Sequence, residues 1–275
     1  MSIDWKALKS QKKLVEPFFG LILGPSGAGK STLIGTLQKP TLYLYTSLEN
    51  HGPIAAGAVN KNIIPYCIDR SDKGELLSAD QAYERTLEVL SDKSIIDNVK
   101  AIAVDGASEL DFMIRKTKSF EKYITNEKGI RNNFKEGESV LFHLKTIIDS
   151  MKTLHSQGLD CFMTCAALVK NSGEDGSVSE VEPRLTGFGV GTELPRQFGD
   201  VLLVSRVNIA TESNPEPHSE HVMIFHATVT KMSKDMRGQV MKTANFSPRV
   251  AGLLVEELPP IMKADLKLLE AVKKK

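Results

Sequence analysis

The sequence predicts an α/β fold with three layers, in which a mainly parallel central sheet lies between helices. Short apolar runs alternate along the chain with segments whose apolar residues recur at helical spacing, and strands separated by helices form parallel βαβ units. With 275 residues, 41% of them hydrophobic, the chain can bury one sizeable core, so one domain with appendages fits better than two equal domains. The first apolar run leads into a glycine-rich loop and a helix, which places that loop at the carboxyl end of the first strand.

The elements follow one another in a regular order. The helix after the loop covers about 30–38 and precedes the strand 41–49, which is rich in Tyr, Leu and Thr. The clearest helix is 138–155, because its apolar residues from Val140 to Leu154 fall on one face at helical spacing. The other predicted elements are the apolar stretch 62–68, the helix 80–90, the strands 99–105, 159–167, 200–207 and 221–231, and a Pro- and Glu-rich turn at 211–219.

The glycine-rich loop has the spacing of a phosphate-binding P-loop. It reads Gly24-x-x-x-x-Gly29-Lys30-Ser31, between an apolar strand and a helix. Glycines let successive N–H groups point at phosphate oxygens, Lys30 reaches the β- and γ-phosphates, and Ser31 binds Mg²⁺. A glycine-rich turn without a ligand would need both the strand and the Lys-Ser pair to occur by chance. The residues predicted to hold the nucleotide are Gly24, Pro25, Ser26, Gly27, Ala28, Gly29, Lys30, Ser31 and Thr32.

A second acidic motif completes the predicted metal site. The segment 101–106 is an apolar strand ending in Asp105, the Walker B arrangement, whose carboxylate holds Mg²⁺ through water opposite Ser31. No Asn-Lys-x-Asp motif, which reads guanine, is present. We therefore expect ATP rather than GTP as the nucleotide.

A glutamate after the next strand is the predicted catalytic base. Ser47-Leu48-Glu49 resembles the Ser-Leu-Glu of DnaB-type replicative helicases, and in that family and in RecA recombinases a glutamate at this point is the general base. In AAA+ proteins the catalytic acid directly follows the Walker B Asp, where this chain has Gly106. A solvated glutamate in a turn is the alternative for Glu49.

The segment 187–206 resembles a RecA and DnaB pattern in which a mobile, often DNA-facing loop leads into a short helix and a strand. The resemblance implies that the loop at about 170–191 is mobile and that Arg184 and Arg196 contact single-stranded DNA. An ordinary surface hairpin is the alternative. The strand 159–167 lacks the usual polar sensor of RecA-like proteins and leaves Thr164 as the candidate.

The basic segment 231–238 resembles the one that RecA-type ATPases insert into a neighbouring active site. By this resemblance Lys234 or Arg237 is the finger that stabilises charge on the γ-phosphate, which implies a head-to-tail homo-oligomer. A solvated basic turn is the alternative. The short gap between Lys30 and Glu49 resembles compact phage proteins with a minimal RecA-like core, including the single-strand annealing ATPases of phage recombination.

The remaining segments are predicted as appendages of a core covering 15–250. They are an extension at 1–14, an insertion at about 115–137, and a helical tail at 251–275. The insertion mixes Lys and Arg with Phe120, Tyr123 and Phe134, as in a groove for single strands, and a solvated insertion is the alternative.

No segment predicts a membrane partner or a metal cluster. No run approaches the roughly 18 apolar residues of a membrane span, and the N-terminus lacks the apolar region of a signal peptide, so we expect a cytoplasmic protein, in the host cytoplasm if a phage encodes it. The three cysteines, Cys67, Cys161 and Cys165, show no spacing for a disulfide framework or zinc site and are expected to be buried small hydrophobes.

The sequence as a whole predicts a Mg²⁺-dependent ATPase with a RecA-like core that acts on single-stranded DNA in recombination, annealing or replication. Two other hypotheses about the function stay open. A P-loop kinase or DNA-packaging motor shares the same loop, and so does a nucleotide-dependent assembly protein without turnover.

Overall fold

The computed structural model describes residues 17–49, 51–171, 178–187, 189–211 and 214–225. The predicted extension 1–14, the tail 251–275 and the basic segment with Lys234 and Arg237 lie outside these ranges. The strands are β1 (Phe19–Gly24), β2 (Thr41–Tyr45), β3 (Ile63–Cys67), β4 (Ala101–Asp105), β5 (Asp160–Asn171), β6 (Val178–Pro183), β7 (Asp200–Thr211) and β8 (Asn214–Phe225).

The helices alternate with the parallel strands, as expected. They are α1 (Lys30–Gly35), α2 (His51–Val59), α3 (Ala79–Ser91), α4 (Ser94–Asn98), α5 (Ala107–Ile114), α6 (Lys118–Ile124), α7 (Phe134–Ser156) and α8 (Val190–Glu193). Short 3-10 turns cover Ser47–Glu49 and Pro195–Gln197. Within the described ranges, no helix combines the length and the apolar composition that a membrane span requires.

The central sheet has the strand order β3-β2-β4-β5-β1-β7-β8. The first six of these strands run parallel, β8 pairs antiparallel with β7, and β6 pairs antiparallel with the far end of β5. The predicted α/β fold with a mainly parallel sheet is confirmed. In this order β5 lies between β1, which leads into the glycine-rich loop, and β4, which ends in Asp105.

Helices cover both faces of the sheet, because alternate residues of each buried strand point to opposite sides. Leu21 and Leu23 belong to a large apolar cluster with α3, α5, α6 and α7, whereas Ile22 belongs to a second cluster with α1 and α2. The two clusters lie on the two faces of the sheet. The domain therefore has the three layers that the sequence predicts.

The prediction for the last hairpin was wrong in its boundaries. The stretch 211–219 was predicted as a turn, yet β8 already begins at Asn214. The pairing of β7 with β8 shifts register between Ile209 and Thr211, close to Pro215 and Pro217. Prolines are tolerated there because β8 lies at the edge of the sheet and next to an irregularity. Of the predicted strand 221–231, the part after Phe225 lies outside the described residues.

Smaller differences also concern where elements end. The predicted strand 41–49 stops at Tyr45 and continues as a 3-10 turn, and α1 stops at Gly35. Within the segment 170–191, β6 pairs with β5 as a hairpin whose tip lies outside the described residues. In the predicted insertion, Phe120 of α6 is fully buried, so it has no face on which a nucleic-acid base could stack.

Candidate nucleotide-binding site

The glycine-rich loop joins β1 to α1 at the carboxyl edge of the sheet. Gly29, which precedes the first residue of α1, has φ 100°, and Gly27 has φ 74°. This left-handed backbone region is costly for residues with a Cβ atom. Gly24 is required for another reason, since a Cβ added there would lie 2.3 Å from the backbone oxygen of Val204 in β7. The loop therefore needs glycine at each of these positions to curl and to pack against β7.

The ammonium of Lys30 lies over this loop. Its Nζ donates to the carbonyl oxygens of Gly24 at 2.9 Å and Pro25 at 3.0 Å. Both acceptors are neutral, and hydrogen bonds from a cation to a phosphate are stronger. The lysine is thus positioned where a phosphate group in the loop would attract it.

Asp105 is the centre of a buried hydrogen-bond network. Its carboxylate is 4% exposed and accepts hydrogen bonds from three hydroxyl groups. Ser31 Oγ donates to Oδ2 over 2.9 Å, Tyr43 Oη donates to the same oxygen over 2.5 Å, and Thr164 Oγ1 donates to Oδ1. The strand order explains this meeting, since β2 and β5 flank β4 on its two sides.

The contact between Ser31 and Asp105 fits a magnesium site. Mg²⁺ prefers hard oxygen ligands and is usually held by one or two protein groups, together with water and phosphate oxygens. A serine hydroxyl and a carboxylate within 2.9 Å of each other are such groups, and both lie at the mouth of the glycine-rich loop. Ser31 and Asp105 are thus the residues that would hold the ion.

A cleft of about 440 Å³ opens above the loop. Six of its lining residues belong to the predicted nucleotide-binding segment 24–32. The other lining residues are Asp105, Glu109, Thr164, Ala166 and Arg184. The structure therefore brings the loop, the Walker B aspartate and the sensor candidate together in one concave site.

Two of these residues were not assigned to the nucleotide site by the sequence. Glu109 lies in the first turn of α5, and its position directly after the Asp105 strand was the available signal. Arg184, which was predicted to contact DNA, also lines the cleft. Arg196 lies elsewhere, as the exposed residue of the turn Pro195–Gln197, and it pairs with Glu193 at 2.6 Å.

Glu49 follows the strand beside β4. Tyr45, the last residue of β2, is in register with Asp105, and the turn Ser47–Glu49 comes next. Asp69 fixes this turn, since it accepts hydrogen bonds from the Ser47 N–H at 2.8 Å and the Ser47 hydroxyl at 2.7 Å. The backbone of Glu49 thus starts from the edge of the sheet that holds the cleft, while the role of its carboxylate stays a prediction.

Comparisons with known proteins give little further information. No family model matches the chain, and no curated protein matches its sequence. One of the solved structures that match is a KaiC-like protein from the hyperthermophilic archaeon Pyrococcus horikoshii, with 12% identity, a TM-score of 0.41, and coverage of 78% of this chain and 80% of that chain. At this identity and TM-score, the similarity assigns neither a fold family nor a function to this chain. The fold class therefore rests on the strand order, and the site on the contacts around Asp105.

Proposed function

We propose that this protein binds ATP with Mg²⁺ on a RecA-like core and hydrolyses it. The observation that carries the proposal is the 2.9 Å contact between Ser31 Oγ and Asp105 Oδ2, directly beside the glycine-rich loop. In P-loop NTPases a loop serine or threonine and a strand-end aspartate form the metal-holding pair. Lys30 supplies a third group of this kind of site, a cation over the loop.

Each group has a separate task in this proposal. The loop N–H groups and Lys30 bind the phosphates, and the ion held by Ser31 and Asp105 would withdraw charge from the phosphate oxygens. A water molecule attacks the γ-phosphorus, and the bond to the β–γ bridging oxygen breaks. Glu49 is the group that the sequence offers for orienting this water.

Lys30→Ala tests the proposal most directly. We expect ATP affinity to fall by about 10- to 100-fold, because a hydrogen bond to a charged group contributes about 1.5–3 kcal/mol and each 1.4 kcal/mol is tenfold. Lys100→Ala is the matched control, since this exposed lysine precedes β4 at the opposite edge of the sheet. Equal ATP affinity and turnover in the two variants would exclude the loop as the nucleotide site.

Glu49→Gln separates hydrolysis from binding. We expect ATP to remain bound while hydrolysis falls by about 10²-fold or more, the usual scale for a positioned acid or base. Phosphate release and titration with a fluorescent ATP analogue measure the two quantities. Wild-type turnover in this variant would remove Glu49 from the mechanism.

We further propose, from the sequence resemblance, that the protein acts on single-stranded DNA as a head-to-tail homo-oligomer. Lys234 or Arg237 then serves the active site of a neighbouring subunit. A mixture of Glu49→Gln subunits with Arg237→Ala or Lys234→Ala subunits should regain activity that neither variant has alone. No recovery in subunits shown to co-assemble would count against a finger acting in trans.

An ATPase assay with and without single-stranded DNA tests the nucleic-acid part. Stimulation by single strands supports it, and stimulation by double strands alone favours a packaging motor. Phosphate transfer to a small acceptor in place of water would identify a kinase. ATP binding without turnover under all these conditions would identify an assembly protein.

A further inference from the structure

Glu109 lies beside the Walker B aspartate although it does not follow it directly in the sequence. Its Oε2 atom is 2.4 Å from the position that a Cβ atom at Gly106 would take. The hydroxyl of Thr164 lies 3.3 Å from the same position. The carboxylate of Glu109 thus fills the space of a side chain at 106 and faces the cleft with Asp105 and Thr164.

Within the described part of the chain, the carboxylate of Glu109 makes no hydrogen bond or ion pair. Its acidic neighbours differ in this respect. Asp105 accepts from three hydroxyl groups, and Asp111, two residues further along α5, accepts from Arg115 Nε at 2.8 Å and from the Thr186 N–H at 2.7 Å. Glu109 is therefore the acidic side chain of the cleft whose oxygens are available to a water molecule.

We propose that Glu109 is the catalytic carboxylate that accepts the proton of the attacking water, while Glu49 orients that water. The proposal rests on the proposed ATPase function. As the water oxygen forms its bond to the γ-phosphorus, its proton passes to the Glu109 carboxylate, and the electron pair of the broken bond leaves with the bridging oxygen of ADP. Placing a base within reach of the reacting proton is the geometric requirement for this role.

Glu109→Gln tests the role, because glutamine keeps the shape and removes the base. We expect turnover to fall by about 10²-fold or more, while ATP binds as tightly as in the wild type or more tightly, since a negative charge near the γ-phosphate is lost. Binding of ADP with aluminium fluoride, which mimics the transferring phosphoryl group, should weaken relative to ATP. Glu84→Gln, an exposed position on α3, is the matched control.

The outcomes distinguish a failure of the Glu109 proposal from a failure of the ATPase proposal. Wild-type turnover in Glu109→Gln overturns the role, and so does a parallel loss of ATP binding in a variant with an unchanged melting temperature. Glu109→Asp is a second variant. It keeps the carboxylate but shortens the side chain by one methylene group, which moves the carboxylate away from the water, and we expect its turnover to be reduced as well. A wild-type protein that binds but never hydrolyses ATP overturns the ATPase proposal itself.

A second inference concerns Arg184 and rests on different observations. Its N–H donates to the Ala166 carbonyl at 2.7 Å, and its own carbonyl accepts from Ser108 Oγ at 2.9 Å. Two residues later, Thr186 is held by Asp111 and by Arg115 Nη2, whose donor distance to the Thr186 carbonyl is 2.5 Å. The backbone of Arg184 is therefore fixed beside Ala166, in the middle of β5.

Arg184 lines the cleft, and its guanidinium makes no ion pair among the residues that the structure describes. Lys30 is the other cation that lines the cleft. We infer that Arg184 contacts the terminal phosphate of the bound nucleotide from within the same subunit. An arginine in cis stabilises charge on the transferring phosphoryl group, and such contacts contribute about 10³-fold or more to turnover.

Arg184→Ala, assayed without DNA, tests this inference, which also rests on the proposed ATPase function. We expect turnover to fall by about 10³-fold or more and affinity for ATP to fall about tenfold relative to ADP, as for one charged contact. Arg70→Ala, which removes an exposed hydrogen bond to the Gly74 carbonyl, is the matched control. Unchanged turnover and an unchanged ratio of ATP to ADP affinity in Arg184→Ala would overturn this inference and leave Arg184 only as a predicted DNA contact.

Discussion

Tyr43→Phe removes one hydroxyl group from the network around Asp105 and changes little else. Tyr43 is fully buried, and its hydroxyl donates to the Asp105 carboxylate over 2.5 Å. Phenylalanine has the same ring, so the substitution opens almost no cavity. The variant therefore removes a hydrogen bond to a charged, buried acceptor.

The expected loss of unfolding free energy depends on the hydrogen bonds that Asp105 keeps in the variant. A hydrogen bond to a charged group contributes about 1.5–3 kcal/mol, but Asp105 keeps the hydroxyl groups of Ser31 and Thr164 as donors. Since the carboxylate is still hydrogen-bonded on both oxygens, we expect the lower end, about 1.5 kcal/mol of unfolding free energy. That loss reduces the folding equilibrium constant by roughly tenfold.

Urea denaturation at pH 7 measures the change, with an unchanged slope against urea concentration as the sign that the denatured state is unaffected. Tyr123→Phe is the matched control, because its hydroxyl donates to Glu138 over 3.3 Å on the exposed face of α6. We expect the control to change stability by less than about 0.5 kcal/mol, as for other surface substitutions. If Tyr43→Phe lost no more than the control, the Asp105 network would not stabilise the fold.

Gly24→Ala should destabilise the protein by about 1–3 kcal/mol, the usual cost of overpacking, because the added Cβ would lie 2.3 Å from the Val204 oxygen; Gly199→Ala, where the nearest atom is 3.6 Å away, should leave the urea midpoint nearly unchanged, and equal midpoints would refute the clash. Burial, followed by the nearby Asp69, raises the pKa of the Cys67 thiol from 9.0 to about 11. Its alkylation by iodoacetamide at pH 8 should therefore be about 100-fold slower than in the urea-unfolded chain, and similar rates would contradict the raised pKa. Burial, and after it the charge of Asp160, also raises the pKa of the Cys161 thiol from 9.0 to about 12. The stability that the protonated thiol contributes is therefore complete below pH 9.0 and is lost as the pH rises toward 12. In urea denaturation Cys161→Ala should lose less stability than the wild type between pH 8 and pH 10, whereas equal losses would contradict the raised pKa.

Local sequence patterns were sufficient to predict the glycine-rich loop. Its glycine spacing is read along nine consecutive residues, and the backbone angles that require glycine are set within the loop. The Walker B strand could be predicted in the same way, since an apolar run ending in an acid predicts a buried strand with Asp105 at its tip. The alternation of strands and helices then determined the parallel α/β class.

The contacts around Asp105 depend on which strands are neighbours, and local patterns do not encode this. Tyr43 and Thr164 lie 62 and 59 positions from Asp105 in sequence. They meet its carboxylate because β2 and β5 flank β4. The insertion of β5 between β1 and β4 also makes Thr164 part of the site, a role that its place in the apolar segment 159–167 only suggested.

Glu109 and Arg184 show most clearly what the tertiary structure decided. In the sequence Glu109 is an ordinary acid in a first helical turn, and Arg184 belongs to a segment that resembles a DNA-binding loop. The structure places both in one cleft, because α5 starts at the end of β4 and β6 returns along the end of β5. The sequence by itself determined the loop, the aspartate and the layer order, since these depend on local spacing and periodicity; the other charges of the cleft depend on long-range strand pairing, which only the folded chain establishes.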